Sequence, residues 1–230
     1  MPDDVLGTVL ITGGASGLGA AIAEAVAQAG GTPVVLDRQT PPNGFAFREV
    51  DLAQPRDAES VVRSVIEEHG GLAAVVTAAG MDACGEILDV DPAAWDRVVA
   101  VNLLGTVAVV RAALPALVRS RGRVVTVAST LGLRPLPAAT AYCASKFGVV
   151  GFTRALASEL GDRVGVTLLL PGGMRTHFFD DRPEVFKPAP DQHLNDPADV
   201  ARTVMFALRQ PAGCELRELV VAPATEPSWP

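Results

Sequence analysis

A single tyrosine, Tyr142, occurs among the 230 residues, and it opens Tyr142-Cys143-Ala144-Ser145-Lys146 at the head of an apolar helical pattern. Residues i and i+4 share a helix face, so the ammonium of Lys146 lies near the phenol. A free tyrosine titrates near ~10, and a neighbouring cation favours phenolate and lowers that value. The chemistry implied is general acid–base work by Tyr142. Ser129 stands upstream, at the end of the run Arg123 to Ala128. A hydroxyl there can hydrogen-bond a substrate carbonyl and steady the charge that develops on its oxygen. Each feature has a plainer counterpart: YxxxK recurs on solvated helix faces, and serine is a common turn residue.

A second constellation precedes these. Thr12-Gly13-Gly14-Ala15-Ser16-Gly17-Leu18-Gly19 joins a β-branched run to an Ala-rich helix. Gly13 permits a tight turn, Gly17 lets backbone approach a pyrophosphate, and Gly19 allows helix to pack closely on strand. The helix N-terminus presents free N–H donors to the anion. Asp37 ends the next strand, where a carboxylate accepts from adenosine ribose hydroxyls and repels a 2′-phosphate. That favours NAD, with NADP as the alternative, because Arg38 can swing onto such a phosphate. Asp37 also reads as an ordinary loop carboxylate. Asp51 either receives the adenine amino group or caps the following helix.

Elements that would position these groups follow from the apolar rhythm. Seven short runs read as strands buried on both faces: Thr8 to Thr12, Pro33 to Leu36, Ala46 to Val50, Ala73 to Thr77, Arg123 to Ala128, Val164 to Leu170 and Leu219 to Val221. Gly17 to Ala29, Asp57 to Glu68, Pro92 to Arg119 and the stretch from Tyr142 to Leu160 read as helices. The alternation predicts an α/β fold, a Rossmann-type, doubly wound, seven-stranded parallel sheet with helices on both faces, in one domain over 1–230. Pro171 to Pro197 is dense in Pro, Asp and Phe, without periodicity, and reads as a substrate lid over about 172–197. Pro223 to Pro230 is expected to be irregular.

Composition narrows the classes. Hydrophobic residues at 49%, charged residues at 20% and a mean hydropathy of +0.30 exclude intrinsic disorder. A net charge of -7 and a pI near 5.0 argue against a nucleic-acid partner. Asp3 and Asp4 make the first residues unlike a signal peptide, and no apolar stretch approaches the ~20 residues a bilayer needs, so no membrane partner is expected. Cys84, Cys143 and Cys214 lie far apart, which suits a reducing, cytoplasmic setting, and three scattered histidines suggest no metal site.

Together these residues resemble the classical short-chain dehydrogenases/reductases over nearly the full length. The family's T-G-x3-G-x-G turn corresponds to Thr12 to Gly19, its acidic NAD selector to Asp37, its adenine-contacting Asp to Asp51, and its active-site serine, tyrosine and lysine to Ser129, Tyr142 and Lys146. By the same resemblance, Lys146 binds the nicotinamide ribose, and Asn102 matches the asparagine that holds a water linking lysine to solvent. Pro171-Gly172-Gly173 and Thr176 match a PG-x3-T segment, Thr176 touching the nicotinamide carboxamide. Ser16, Leu18, Leu52, Ala79 and Gly80 complete the implied cofactor set. Two departures stand out. Thr77-Ala78-Ala79-Gly80 replaces the usual Asn-Asn-Ala-Gly, leaving Thr77 to take over part of the sheet bracing, and the common V-D-G-G ending is missing.

The resemblance implies an NAD(P)-dependent oxidoreductase interconverting a ketone and a secondary alcohol. Met81, Leu131, Leu136, Met174, His177 and Phe178, with Ala138 and Phe179 beside them, line the expected pocket. They suit an apolar or medium-sized substrate, whereas His177, Arg134 and Lys187 would suit an anionic one. Two other classes are weighed: a non-catalytic dinucleotide-binding protein, which has no use for the tyrosine, and an extended-type sugar epimerase or dehydratase, for which the chain leaves little substrate domain. Small residues on several faces of the helices around Asn102 and after Tyr142 suggest a homo-oligomer, a tetramer or dimer.

Overall fold

Short runs of Val, Leu, Ile and Ala form the strands β1 (Thr8–Thr12), β2 (Thr32–Asp37), β3 (Ala46–Glu49), β4 (Ala74–Thr77), β5 (Arg123–Val127), β6 (Gly165–Pro171) and β7 (Glu218–Val221). The computed structural model describes residues 6–229; Asp3, Asp4 and Pro230 lie outside them. All seven strands run parallel in one sheet of order β3-β2-β1-β4-β5-β6-β7. The order reverses between β1 and β4, so a crevice opens at their carboxyl ends, where ligands bind in doubly wound sheets.

Alternate side chains feed two cores. Leu10, Val34, Val75 and Val124 face one side and pack with α2 (Pro55–His69), α4 (Thr106–Ser120) and α5 (Thr140–Leu160). Val9, Ile11, Val35 and Val76 face the other and pack with α1 (Gly17–Gln28) and α6 (Pro197–Leu208). Burial on both faces explains why β1, β2, β4, β5 and β6 read as continuous apolar runs, whereas β3 and β7, expected to be buried likewise, are half-exposed edge strands.

Three features differ from expectation. Helix α6 was not foreseen: its start is marked by Asp196, which accepts from Ala198 N at 2.9 Å, with Pro197 in the first turn. The run from Pro92 is not one regular helix. It comprises α3 (Pro92–Val99), a π-helical segment at Ala100–Gly105, and then α4. This 29-residue stretch is also long and apolar enough to cross a bilayer by composition alone, against the expectation that none approaches that length. Val109, Ala113 and Leu117 of this stretch are buried in the core with the sheet and α2, while Leu104 and Val118 are exposed.

Candidate active site

The glycine turn follows β1 directly. Gly13 sits at φ +71°, and a Cβ there would lie 2.7 Å from Ala79 Cα. Only glycine lets the turn press against the loop after β4. Gly17, at φ +52°, faces Thr176, whose Cγ2 is 3.3 Å from where a Cβ would sit. Gly19 packs on the turn rather than on the strand: its Cβ would fall 2.2 Å from Gly13 O. Ser16 caps α1 without a side-chain hydrogen bond, which leaves first-turn donors for an anion. Asp37 braces the turn, accepting from Ala15 N at 3.0 Å and Gln39 N at 3.1 Å. Asp51 accepts from Ala53 N and pairs with Arg97 at 2.8 Å. Burial alone would raise its pKa, but Arg97 and the Ala53 N–H outweigh that and hold it below the usual carboxylate range. Leu18 and Leu52 bury their side chains in the two cores, so only their backbone faces the crevice.

These residues fit a dinucleotide. The turn's glycines carry no side chains, the first-turn N–H groups have no side-chain cap, a carboxylate ends β2, Thr176 lies against Gly17, and Gly80 lies beside Lys146.

At the far side of the crevice, Tyr142 and Lys146 lie on one face of α5, with Lys146 Nζ 5.6 Å from the Tyr142 ring centroid. Ser129 is buried at the carboxyl end of β5, its Oγ accepting from Leu131 N at 3.1 Å. Lys146 Nζ donates to Val127 O at 2.9 Å, and a Cβ on Gly80 would be 3.6 Å from it. Burial pushes the phenol up to about 12; the Ser129 hydroxyl pulls it down, Asp82 raises it further and Arg182 opposes Asp82. Burial lowers Lys146 to about 8, against a raising influence from Asp82. The expected depression of the phenol by Lys146 is therefore corrected. Burial is the largest influence on both groups, and one of the ammonium's three N–H donors goes to Val127 O.

Asn102 is fully buried within the π segment. Its Oδ1 accepts from Met81 N at 2.9 Å, while Nδ2 donates to Met81 O at 2.9 Å and to Ser145 Oγ at 3.0 Å. A π segment inserts a residue into the helical repeat and re-aims the side chains it carries. Here it turns an amide toward the loop after β4. Thr77 does not brace the sheet as expected, because its buried hydroxyl has no partner; Thr12 Oγ1 instead accepts from Ala79 N at 3.1 Å.

Of the expected pocket residues, Leu131 and Phe178 pack on Tyr142, Cys143 and Ala139, with the Phe178 and Tyr142 ring centroids 5.6 Å apart. Met81 is held by its backbone beside Asn102. Three expectations are corrected. His177 is 86% exposed and pairs with Asp180 at 2.7 Å, since a charged-capable ring prefers water to the apolar cluster. Met174, in the stretch past β6 that bridges to Asn195, packs half-buried against the α1–α6 core. Leu136 is 46% exposed on the Pro135–Pro137 loop, outside the cluster around Tyr142. The cations expected to greet an anion are engaged elsewhere: Arg134 lies 4.6 Å over the Trp229 ring and Lys187 pairs with Glu184.

The residues missed are Asp82 and Arg182, an ion pair at 2.6 Å that joins the loop after β4 to the Pro171–Pro197 stretch. The guanidinium lies 5.1 Å over Phe178 and 4.6 Å over Phe179. A lone Asp just past Gly80 and a lone Arg among Phe residues were the signals available. Pro171 closes β6, Gly172 N donates to Val221 O at 3.0 Å, and Gly173 N donates to Glu226 Oε2 at 2.8 Å.

Comparison with known proteins points the same way. The sequence profile described as "short chain dehydrogenase" matches residues 7–185. The chain is 32% identical over 232 residues to 2-(S)-hydroxypropyl-CoM dehydrogenase 3 of Xanthobacter autotrophicus, covering 89% of this chain and 90% of that protein. It is 32% identical over 216 residues to a 2,5-dichloro-2,5-cyclohexadiene-1,4-diol dehydrogenase of Sphingobium indicum, covering 86% of each. Among solved structures, an actinorhodin polyketide ketoreductase variant with NADPH superposes with a TM-score of 0.83 at 27% identity, covering 94% of this chain and 96% of that one.

Proposed function

From a chain that belongs to the short-chain dehydrogenase family, oxidoreductases that act on CH–OH groups with NAD(P), we propose an enzyme that interconverts an apolar or medium-sized ketone and its secondary alcohol with a preference for NAD(H). The observation that carries this reading is the junction of Tyr142, Lys146 and Ser129 at the carboxyl end of β5, across the crevice from the glycine turn.

Bound NAD(H) would supply or accept the hydride; the side chains do the rest. Gly13, Ser16, Gly17, Leu18 and Gly19 would hold the pyrophosphate by backbone donors. Asp37 would receive the adenosine ribose, Asp51 and Leu52 would border the adenine, and Ala79, Gly80, Pro171, Gly172 and Thr176 would enclose the nicotinamide end. Ser129 would hydrogen-bond the substrate oxygen and fix it against the phenol. In reduction Tyr142 gives its proton to that oxygen, and a pKa pushed up to about 12 keeps the proton in place until it is needed. Lys146 would bind the nicotinamide ribose, and Asn102 would hold the loop at Met81 beside it. The apolar character follows from Leu131, Phe178, Ala139 and Cys143 around the phenol. The relative that oxidises a chlorinated cyclohexadienediol accords with such a pocket.

Residues 172–197 would act as the lid of this single domain. Leu104 and Phe147, half exposed on the π segment and α5, support a homodimer or homotetramer, and the free cysteines support a cytoplasmic setting. The test is Tyr142→Phe. It is expected to bind NADH as the parent does, by nicotinamide fluorescence, and to lose turnover by a factor of about 10² or more. Undiminished turnover would overturn the assignment, and tighter binding of NADPH than NADH would overturn the cofactor preference.

A further inference from the structure

The segment after β7 has no periodicity, yet it places two polar side chains deep in the molecule: Glu226 is 8% exposed and Ser228 4%. Burial of a carboxylate is costly unless donors surround it. Glu226 has three, all neutral: Oε2 accepts from Gly173 N at 2.8 Å, and Oε1 accepts from Ser228 N at 3.3 Å and from Ser228 Oγ at 2.7 Å. The carboxylate also sits tight against the end of β6, since a Cβ on Gly172 would lie 2.6 Å from Oε2.

Ser228 carries one hydroxyl proton, and a carboxylate can only accept. That proton is shared between Glu226 Oε1 at 2.7 Å and Thr130 Oγ1 at 2.8 Å, both of which accept from Ser228 Oγ. Thr130 opens the 3₁₀ turn Thr130–Gly132, and the N–H of Leu131 in that turn donates to Ser129 Oγ at 3.1 Å. An unbroken chain of hydrogen bonds and one tight turn thus runs from Gly173, at the base of the proposed lid, to the hydroxyl of Ser129. Arg134, stacked on Trp229, holds the same two segments together from the outside.

We propose that Glu226 and Ser228 are positioning residues: they tie the Gly172–Gly173 hinge to the Thr130 turn and thereby set the direction of Ser129 Oγ. The proposal rests on the reading of Ser129 as the hydroxyl that orients the substrate oxygen. Its test uses full-length Ser228→Ala, Ser228→Thr and Glu226→Gln, with kinetics on the ketone the parent prefers, NADH binding, and amide hydrogen exchange at Leu131 and Gly173.

Ser228→Ala is expected to lower kcat about tenfold, as small misplacements of reacting groups do, while KM and the NADH dissociation constant stay within twofold. Exchange at Leu131 quickens. Ser228→Thr, which restores a hydroxyl, recovers both. Glu226→Gln, with a single accepting oxygen, releases either Gly173 or Ser228 and lowers kcat likewise. Unchanged kcat with unchanged exchange at Leu131 in Ser228→Ala overturns the proposal, as does a loss that Ser228→Thr leaves in place. If the parent turns over no ketone or alcohol, the functional reading fails on its own, and exchange at Leu131 still decides whether the tie exists.

Discussion

At the scale of single residues, the site is shaped by desolvation. Lys146 is lowered from 10.5 to about 8 by burial. Between those pH values the unfolded chain holds a proton that the folded chain lacks, so stability at this position rises with pH from 8 to 10.5. Tyr142, raised from 10 to about 12, acts with the opposite sign, since the folded chain keeps a proton above pH 10 that the unfolded chain loses. Lys146→Met should therefore show a Tm, relative to the parent, that falls by about 5 °C between pH 8 and pH 10. Thermal unfolding across that range is the measurement, and a flat difference contradicts the argument. Tyr142, Lys146 and Ser129 were legible in the sequence because their spacing is local. Asp82 and Arg182, whose influence on Tyr142 comes after burial and the Ser129 hydroxyl, were not, because they meet only through the fold.

At the scale of elements, the glycine turn is a packing solution as much as a binding one. Gly19→Ala would drive a Cβ into the carbonyl of Gly13. The expected result is a loss of about 2 kcal/mol or more in denaturant unfolding, with NADH affinity lowered more than tenfold. A variant that unfolds and binds as the parent does would show that the turn can shift to make room. The five inner strands were legible almost to their ends, since burial on both faces writes itself as unbroken apolar runs. Helix α6 went unread because it begins inside a Pro- and Asp-rich stretch whose local composition resembles loop. The π segment was not legible: the resemblance singled out Asn102 without its backbone, and nothing in Ala100–Gly105 departs from an ordinary helical pattern.

At the scale of the whole molecule, contacts distant in sequence close the crevice. Asp82 and Arg182 lie 100 residues apart and join the β4 loop to the proposed lid. Removing one partner of an enclosed pair strands the other charge. Asp82→Asn is thus expected to loosen residues 175–187 and to speed tryptic cleavage after Arg175 severalfold, with cleavage elsewhere unchanged; Arg182 and Lys187 precede prolines and stay uncut. Identical digestion patterns would show that the lid is held by its aromatic contacts alone. Such long-range ties, like those of Glu226, leave no periodic trace, so a sequence reveals the scaffold more readily than its fastenings.

The irregular turn around Asn102 has a consequence for how this chain can change. Deleting one residue from that six-residue bulge would let the backbone settle into an uninterrupted α-helix with the later side chains close to their present directions, while carrying the amide away from Met81. Greater regularity and a working crevice are opposed at that spot. Heat-hardened descendants of this protein are expected to collect their substitutions elsewhere and to keep the flaw.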